Sequence, residues 1–284
     1  MKSALGILLA LALLTVFGQA AQAGDWWPLD ANNTLVIDTT KGRLVVEMRP
    51  DFAPMAVARI KLLAHEHVYD GLLFHRVLDH YVDQTGNPNN RDGGTSRYPD
   101  LKPEFRFVLA PGAIDAIASH AAEGITGFVG ATPFAASPNP QHTGTWRAWG
   151  AYCPGVAGMG REEGLDTANS EIFFMRDASR SLDHDYTVWG RVVQGLEVVR
   201  AIAVGEPPAH PDRMIRARVM AELPDSERPK LEVIDTHSAA FAATLAEMRK
   251  QRGADFSLCD VPLATRTLRD GSRMTGDANQ RGSR

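Results

Sequence analysis

The sequence predicts a mainly β fold, and three observations carry that reading. Residues 34–39 and 43–48 are β-rich runs separated by Lys41-Gly42, the pattern of a hairpin. Five further short runs, at 72–78, 105–109, 155–160, 171–175 and 187–193, carry the same apolar and β-branched character. Only two stretches between residues 34 and 204 show helical spacing. The first follows Pro54 and places Ala56, Ile60, Leu63 and Val68 on one face up to Asp70-Gly71. The second is short, residues 195–202.

The ends read differently. Lys2 precedes an apolar run from Ala4 to Phe17, and Ala21-Gln22-Ala23 then supplies a small-residue cleavage site. That order is a secretory signal peptide over residues 1–23, too short in its apolar part to span a bilayer. Export to a periplasm-like compartment is expected, with no membrane attachment after cleavage. Residues 24–31 read as a lead-in. Residues 113–151 are rich in Gly, Pro, Ser and Asn with little periodicity, and read as a long ordered loop or insertion. Beyond Ala203, runs at 215–223 and 231–236 read as a strand pair. Residues 238–251, with Phe241, Leu245 and Met248, read as a helix. The expected organisation is a main domain over 32–204, an extension over 205–265 packed on it, and a flexible tail over 266–284. Apolar residues at 44% and charged residues at 23% suit a packed core. The net charge of −4, without a basic tract, argues against a nucleic-acid partner or an anionic membrane surface.

The most informative stretch runs Leu72-Leu73-Phe74-His75-Arg76-Val77-Leu78-Asp79-His80-Tyr81-Val82-Asp83-Gln84-Thr85-Gly86, and leads to Asp92-Gly93-Gly94. On a strand, Phe74, Arg76 and Leu78 share one face, with His75 and Val77 on the other. An Arg between apolar neighbours must snorkel to water, pair with an acid or line a cleft. The residues alone leave these three open. Two later blocks accompany it: Gly155 to Arg161 followed by Asp166 to Met175, and Leu182-Asp183 followed by Tyr186 to Val192.

Taken in order, the three blocks resemble the cyclophilins, specifically exported bacterial forms with an insertion and a C-terminal extension. The resemblance implies a closed eight-stranded antiparallel barrel capped by two helices, here with a C-terminal β/α extension. It implies a peptidyl-prolyl cis–trans isomerase that works in a groove on the barrel's outer surface. Carried over by position, Arg76 is the catalytic cation, and Gln84 hydrogen-bonds near the isomerising bond. Tyr81, Val82, Phe173, Leu182 and Tyr186 line the proline pocket. Gly160 and Arg161 hold the extended substrate, with Glu171 beside them. The implied partners are proline-containing polypeptides, taken by a monomer without metal or other cofactor. Several positions depart from the family pattern. Tyr81 stands where Phe is usual, and its hydroxyl needs a partner or a route to water. Tyr186 stands where His is frequent, Glu171 where Gln is usual, and Ile172 where a Phe is usual. Ser181 stands where cyclosporin-sensitive members carry Trp. A rival reading, a proline-peptide binding module with vestigial activity, gives no reason to keep Arg76.

Other constellations carry less. His65 and His67 are two apart on a helix and do not share a face. His184 lies between two acids, but no Gly-x-Ser-x-Gly elbow supplies a nucleophile. Cys153 and Cys259 are the two cysteines. In an exported chain they are expected to form a disulfide.

Overall fold

The computed structural model describes residues 23–91, 95–121 and 124–268. The expected leader apart from Ala23, the Asp92-Gly93-Gly94 stretch and the residues from 269 onward lie outside the described residues.

Eight strands form one antiparallel curled sheet. They are β1 (Thr34–Thr39), β2 (Gly42–Met48), β3 (Arg76–Leu78), β4 (Val82–Thr85), β5 (Val156–Met159), β6 (Ile172–Met175), β7 (Val188–Gln194) and β8 (Met214–Val219). Their spatial order is β8-β1-β2-β7-β5-β6-β4-β3. The two outer strands are drawn together by isolated bridges, Leu73 to Arg213 and Val77 to Gly205. Backbone bonds from Gly71 N to Met214 O (2.7 Å) and from Phe74 N to Asp212 O (2.9 Å) continue that seam. The predicted hairpin is β1–β2, with Thr40 and Lys41 at its turn. The run at 72–78 is a strand only at its end, because its first half spends its hydrogen bonds on the seam.

The interior is filled by alternate residues, as a small barrel requires. Leu35, Ile37, Leu44, Val46, Val77, Ala157, Phe174 and Trp189 are all buried in one cluster. Helix α1 (Pro54–His65) covers one opening with Ala56, Val57, Ile60 and Leu63. Pro54 sits in its first turn, where a missing N–H costs nothing. Glu104, from a distant loop, accepts from Met55 N (2.9 Å) and Ala56 N (2.8 Å) and so satisfies two free donors of that turn. The helix ends at His65, before the expected Asp70, and His67 takes a left-handed φ of 59°. Helix α2 (Leu196–Ala201) buries Val198 and Val199.

Two expectations are corrected. The segment after residue 113 is no loop. Strands 116–121, 124–129, 132–138 and 146–150 build an antiparallel sheet, with Phe107–Leu109 as its fifth member. The run at 105–109 thus belongs to this sheet and not to the barrel. The expected pairing of 215–223 with 231–236 is not formed. Met214–Val219 pairs with β1 as the eighth barrel strand, so the barrel draws on residues beyond 204. Leu231–Ile234 pairs instead with Trp26–Pro28 on one side and Thr265–Thr267 on the other. Buried Leu231, Val233 and Ile234 face a different core from β8, which explains the choice.

That second core lies on the outside of the barrel. Val45, Val82, Phe173, Met175 and Val188 pack there with Ile125, Phe128 and Phe134 of the second sheet. Phe241 and Leu245 of helix α3 (Ala239–Arg252) complete it. Phe128 and Phe241 meet edge to face at 5.2 Å. Ser238 caps α3 by accepting from Phe241 N at 3.1 Å. The Cys153–Cys259 disulfide is formed, with Cα atoms 4.9 Å apart, within the range a disulfide requires.

Candidate active site

Register places the site. Arg76 on β3 lies opposite Gln84 on β4, Gln84 opposite Phe173 on β6, and Phe173 opposite Gly158 on β5. Residues directly opposite one another share a face, so one row across four strands carries a cation, an amide, an aromatic ring and a space. The alternate residues Val77, Asp83 and Phe174 turn inward. The row therefore belongs to the outer surface.

All ten residues singled out by position line one cavity of about 410 Å³: Arg76, Tyr81, Val82, Gln84, Gly160, Arg161, Glu171, Phe173, Leu182 and Tyr186. Glu162 and Glu206 join them. The apolar part is built around Phe173. Its ring stacks on Tyr152 at 5.7 Å and meets Tyr186 edge to face at 5.8 Å. Tyr81 keeps partial exposure, which gives its hydroxyl the route to water that the substitution needs. Burial, and then the neighbouring Tyr186, push the Tyr81 phenol above its usual range, so it stays neutral. Arg161 lies 4.5 Å over the Tyr186 ring. It also donates to the backbone oxygens of Asp185 (3.0 Å) and Glu162 (2.8 Å), which fixes that wall. Ser181 is exposed, and its hydroxyl pairs with Ser179 at 3.0 Å.

The polar part is a chain of hydrogen bonds. Arg76 Nη1 donates to Gln84 Oε1 (3.0 Å), and Gln84 Nε2 donates to Glu171 Oε1 (2.9 Å). His75 Nε2 lies 2.7 Å from the same Glu171 oxygen. His75 and Glu171 are both buried, so the carboxylate fixes the amide's orientation from beneath. Only Arg76–Leu78 is strand, so the expected alternation does not reach back: Phe74 is buried in the inner cluster with Val77, and His75 reaches the groove through Glu171. Gly160 N donates to Glu171 O at 2.8 Å. A Cβ at Gly160 would lie 2.9 Å from Glu171 Cγ, so the glycine makes room for that side chain.

Glu206 was not legible in the sequence. Its Oε1 accepts from Arg76 Nε at 2.5 Å, across 130 residues. Tyr152 was also missed. It is fully buried behind Phe173, and nothing in its local sequence marks it. No group of three or more His, Cys, Asp or Glu suited to a metal occurs among the described residues.

Comparison with known proteins fits this geometry. Residues 34–219 match the family model described as cyclophilin type peptidyl-prolyl cis-trans isomerase/CLD. The chain is 30% identical over 237 residues to a probable peptidyl-prolyl cis-trans isomerase of Brucella suis, covering 78% of this chain and 97% of that one. It is 25% identical over 194 residues to a peptidyl-prolyl cis-trans isomerase-like 1 of Aspergillus fumigatus, covering 66% and 96%. Among solved structures, a cyclophilin of Hirschia baltica, AquaCyp293, superposes with a TM-score of 0.77 at 28% identity, covering 86% of this chain and 95% of that one. That share is larger than the span 34–219, so the likeness takes in residues beyond the family match. With the barrel, the two helices and the match over 34–219 agreeing, the chain belongs to the cyclophilin-type peptidyl-prolyl cis–trans isomerases.

Proposed function

We propose that the groove around Arg76 is where the protein twists Xaa–Pro peptide bonds, and that Arg76 is its catalytic residue. The observation that carries this is the placement of Arg76, its side chain three-quarters buried, beside an apolar pocket floored by Phe173. A peptide bond resists rotation by roughly 18–20 kcal/mol because of amide resonance. Uncatalysed prolyl exchange therefore takes on the order of 10–100 s. Rotation breaks no covalent bond, so the protein has only to favour the twisted state. In that state resonance is lost and the proline nitrogen regains a lone pair. A guanidinium directed at that nitrogen, or at the adjacent carbonyl, binds the twisted amide better than the planar one. Arg serves because it stays charged and its donors are fixed in a plane. Phe173, Leu182, Val82, Tyr81 and Tyr186 hold the proline ring. Gln84 and the backbone at Gly160 hold the flanking chain, with Arg161 and Glu171 shaping that edge. Donors already oriented in a partly dry groove do not have to reorganise at the moment of twisting.

The test is an isomerisation assay on an Xaa–Pro peptide. Arg76→Ala should lower kcat/KM at least tenfold, about 1.4 kcal/mol of transition-state stabilisation. A variant as active as wild type would remove Arg76 from the mechanism.

The clients we infer are proline-containing polypeptides outside the cytosol, whose folding the enzyme assists. The reading rests on the leader pattern ending at Ala21-Gln22-Ala23. The disulfide supports it, because such bonds persist in oxidising compartments. Among the described residues no helix is long and apolar enough to cross a membrane. Protein isolated from its source should begin at Gly24 by intact mass. A cytosolic protein that still carries residues 1–23 would overturn this reading.

A further inference from the structure

We infer that Glu206 is the positioning residue that aims Arg76 into the groove. The inference rests on the reading of Arg76 as the catalytic cation.

A guanidinium presents three nitrogens in one plane. In Arg76, Nε donates to Glu206 Oε1 (2.5 Å) and Nη1 donates to Gln84 Oε1 (3.0 Å). Nη2 bonds no group among the described residues. Two partners from separate segments hold the plane, and the tip of the fork is left for a substrate. Glu206 takes the side edge at Nε, so it does not compete for that tip.

The placement of Glu206 is built into the backbone. Gly205, its neighbour, exchanges two hydrogen bonds with Val77, the neighbour of Arg76. Val77 N donates to Gly205 O (2.8 Å), and Gly205 N donates to Val77 O (2.9 Å). The loop is thereby fastened to β3 one residue from the cation it serves. Gly205 has a φ of 154°, and a Cβ there would lie 2.4 Å from Pro208 Cα, so this path needs glycine. The Glu206 side chain is 53% exposed and that of Arg76 26%. The acid thus reaches in from the rim while the cation rises from the barrel wall.

Gln84 is neutral and is already oriented by Glu171. Glu206 is therefore the one charged partner of Arg76 among the described residues. A long Arg side chain has several rotatable bonds, and holding it in one geometry opposes a large rotamer entropy. Without Glu206 the guanidinium is held at one nitrogen only and samples other directions. A catalytic group displaced by an ångström loses a large part of its effect. The loss falls on kcat, because the proline pocket that sets binding is untouched.

The experiment measures kcat, KM and Tm on an Xaa–Pro peptide for wild type, Glu206→Ala, Glu206→Gln, Arg76→Ala and the Arg76→Ala/Glu206→Ala pair. Glu206→Ala should lower kcat about tenfold with KM and Tm near wild type. Glu206→Gln keeps an acceptor for Nε and should recover most of the loss. In the Arg76→Ala background, Glu206→Ala should add nothing, since it acts through the guanidinium. A Glu206→Ala enzyme with wild-type kcat, beside a depressed Arg76→Ala, overturns the positioning role and leaves Arg76 in place. An equal loss in the Arg76→Ala background also overturns it. A fully active Arg76→Ala overturns the underlying reading of Arg76 and this inference with it.

Discussion

Replacing Cys153 and Cys259 together with Ala should lower the unfolding free energy by about 4–5 kcal/mol, the chain-entropy value for a loop of this length. The bond joins residues 106 apart in sequence. Cys153 is buried just before β5, where the second sheet returns to the barrel. Cys259 sits in a short helical turn, Leu258–Asp260. Ser257 and Asp260 cap that turn reciprocally, with Cys259 N donating to Ser257 Oγ (3.2 Å) and Ser257 N donating to Asp260 Oδ2 (2.8 Å). One end of the link thus belongs to the barrel and the other to the extension. Without it the unfolded chain regains the freedom of everything between. Urea unfolding of wild type and the double variant would measure the difference at the transition midpoint. Neither cysteine lines the groove, so the folded double variant should keep its isomerase activity. A loss below about 1 kcal/mol would mean that packing of α3 against Phe128 holds the extension unaided, and that the unfolded chain is already compact there.

What could be read in the sequence, and what could not, follows from how each part is stabilised. The hairpin of β1 and β2 was legible because two β-rich runs flank the Lys41-Gly42 turn signal. The groove residues were legible only through the resemblance, because three short blocks occur in the family's order. Gln84 and Phe173 were carried over by position from the resemblance, and the structure sets them in one row with Arg76. The second sheet was not legible, because its strands are built from small residues. Ala116, Ala118, Gly127, Ala135, Ala136 and Ala148 carry little β propensity. Close approach requires them. A Cβ on Gly127 would lie 2.1 Å from Ala116 O, and one on Gly124 would lie 2.0 Å from Ala136 O. Glycines that mark a loop to the reader are here the means by which backbones meet. Glu206 was hidden for another reason. Its partner is 130 residues earlier, and it stands in a Gly-Glu-Pro-Pro stretch that reads only as a connector. The expected strand pair beyond residue 214 failed because two β-rich runs near in sequence faced different cores.

Gly158→Ala should lower kcat/KM about a hundredfold, the scale of loss when a positioned group shifts by an ångström. Gly158 lies directly opposite Phe173 across β5 and β6. The aromatic ring lies over the glycine. A Cβ there would stand 2.3 Å from Phe173 Cζ and 2.8 Å from both Cε atoms. These distances are well inside van der Waals contact, so the ring must move. Tyr152, fully buried, backs it on one side, and Tyr186 meets it edge to face. The open direction is the groove, and a ring displaced that way fills the space read as the proline pocket. Overpacking of this kind also destabilises, by about 1–3 kcal/mol. A second substitution separates the two effects. Phe173→Leu in the Gly158→Ala background removes the colliding atoms and should restore the unfolding midpoint. Activity should return only in part, since a leucine floors the pocket less completely than a ring. Peptide titration followed by NMR would show Gly158→Ala losing affinity as well as turnover. A Gly158→Ala protein that binds and turns over Xaa–Pro peptide like wild type would mean that the ring escapes elsewhere, and that Phe173 does not floor the proline pocket.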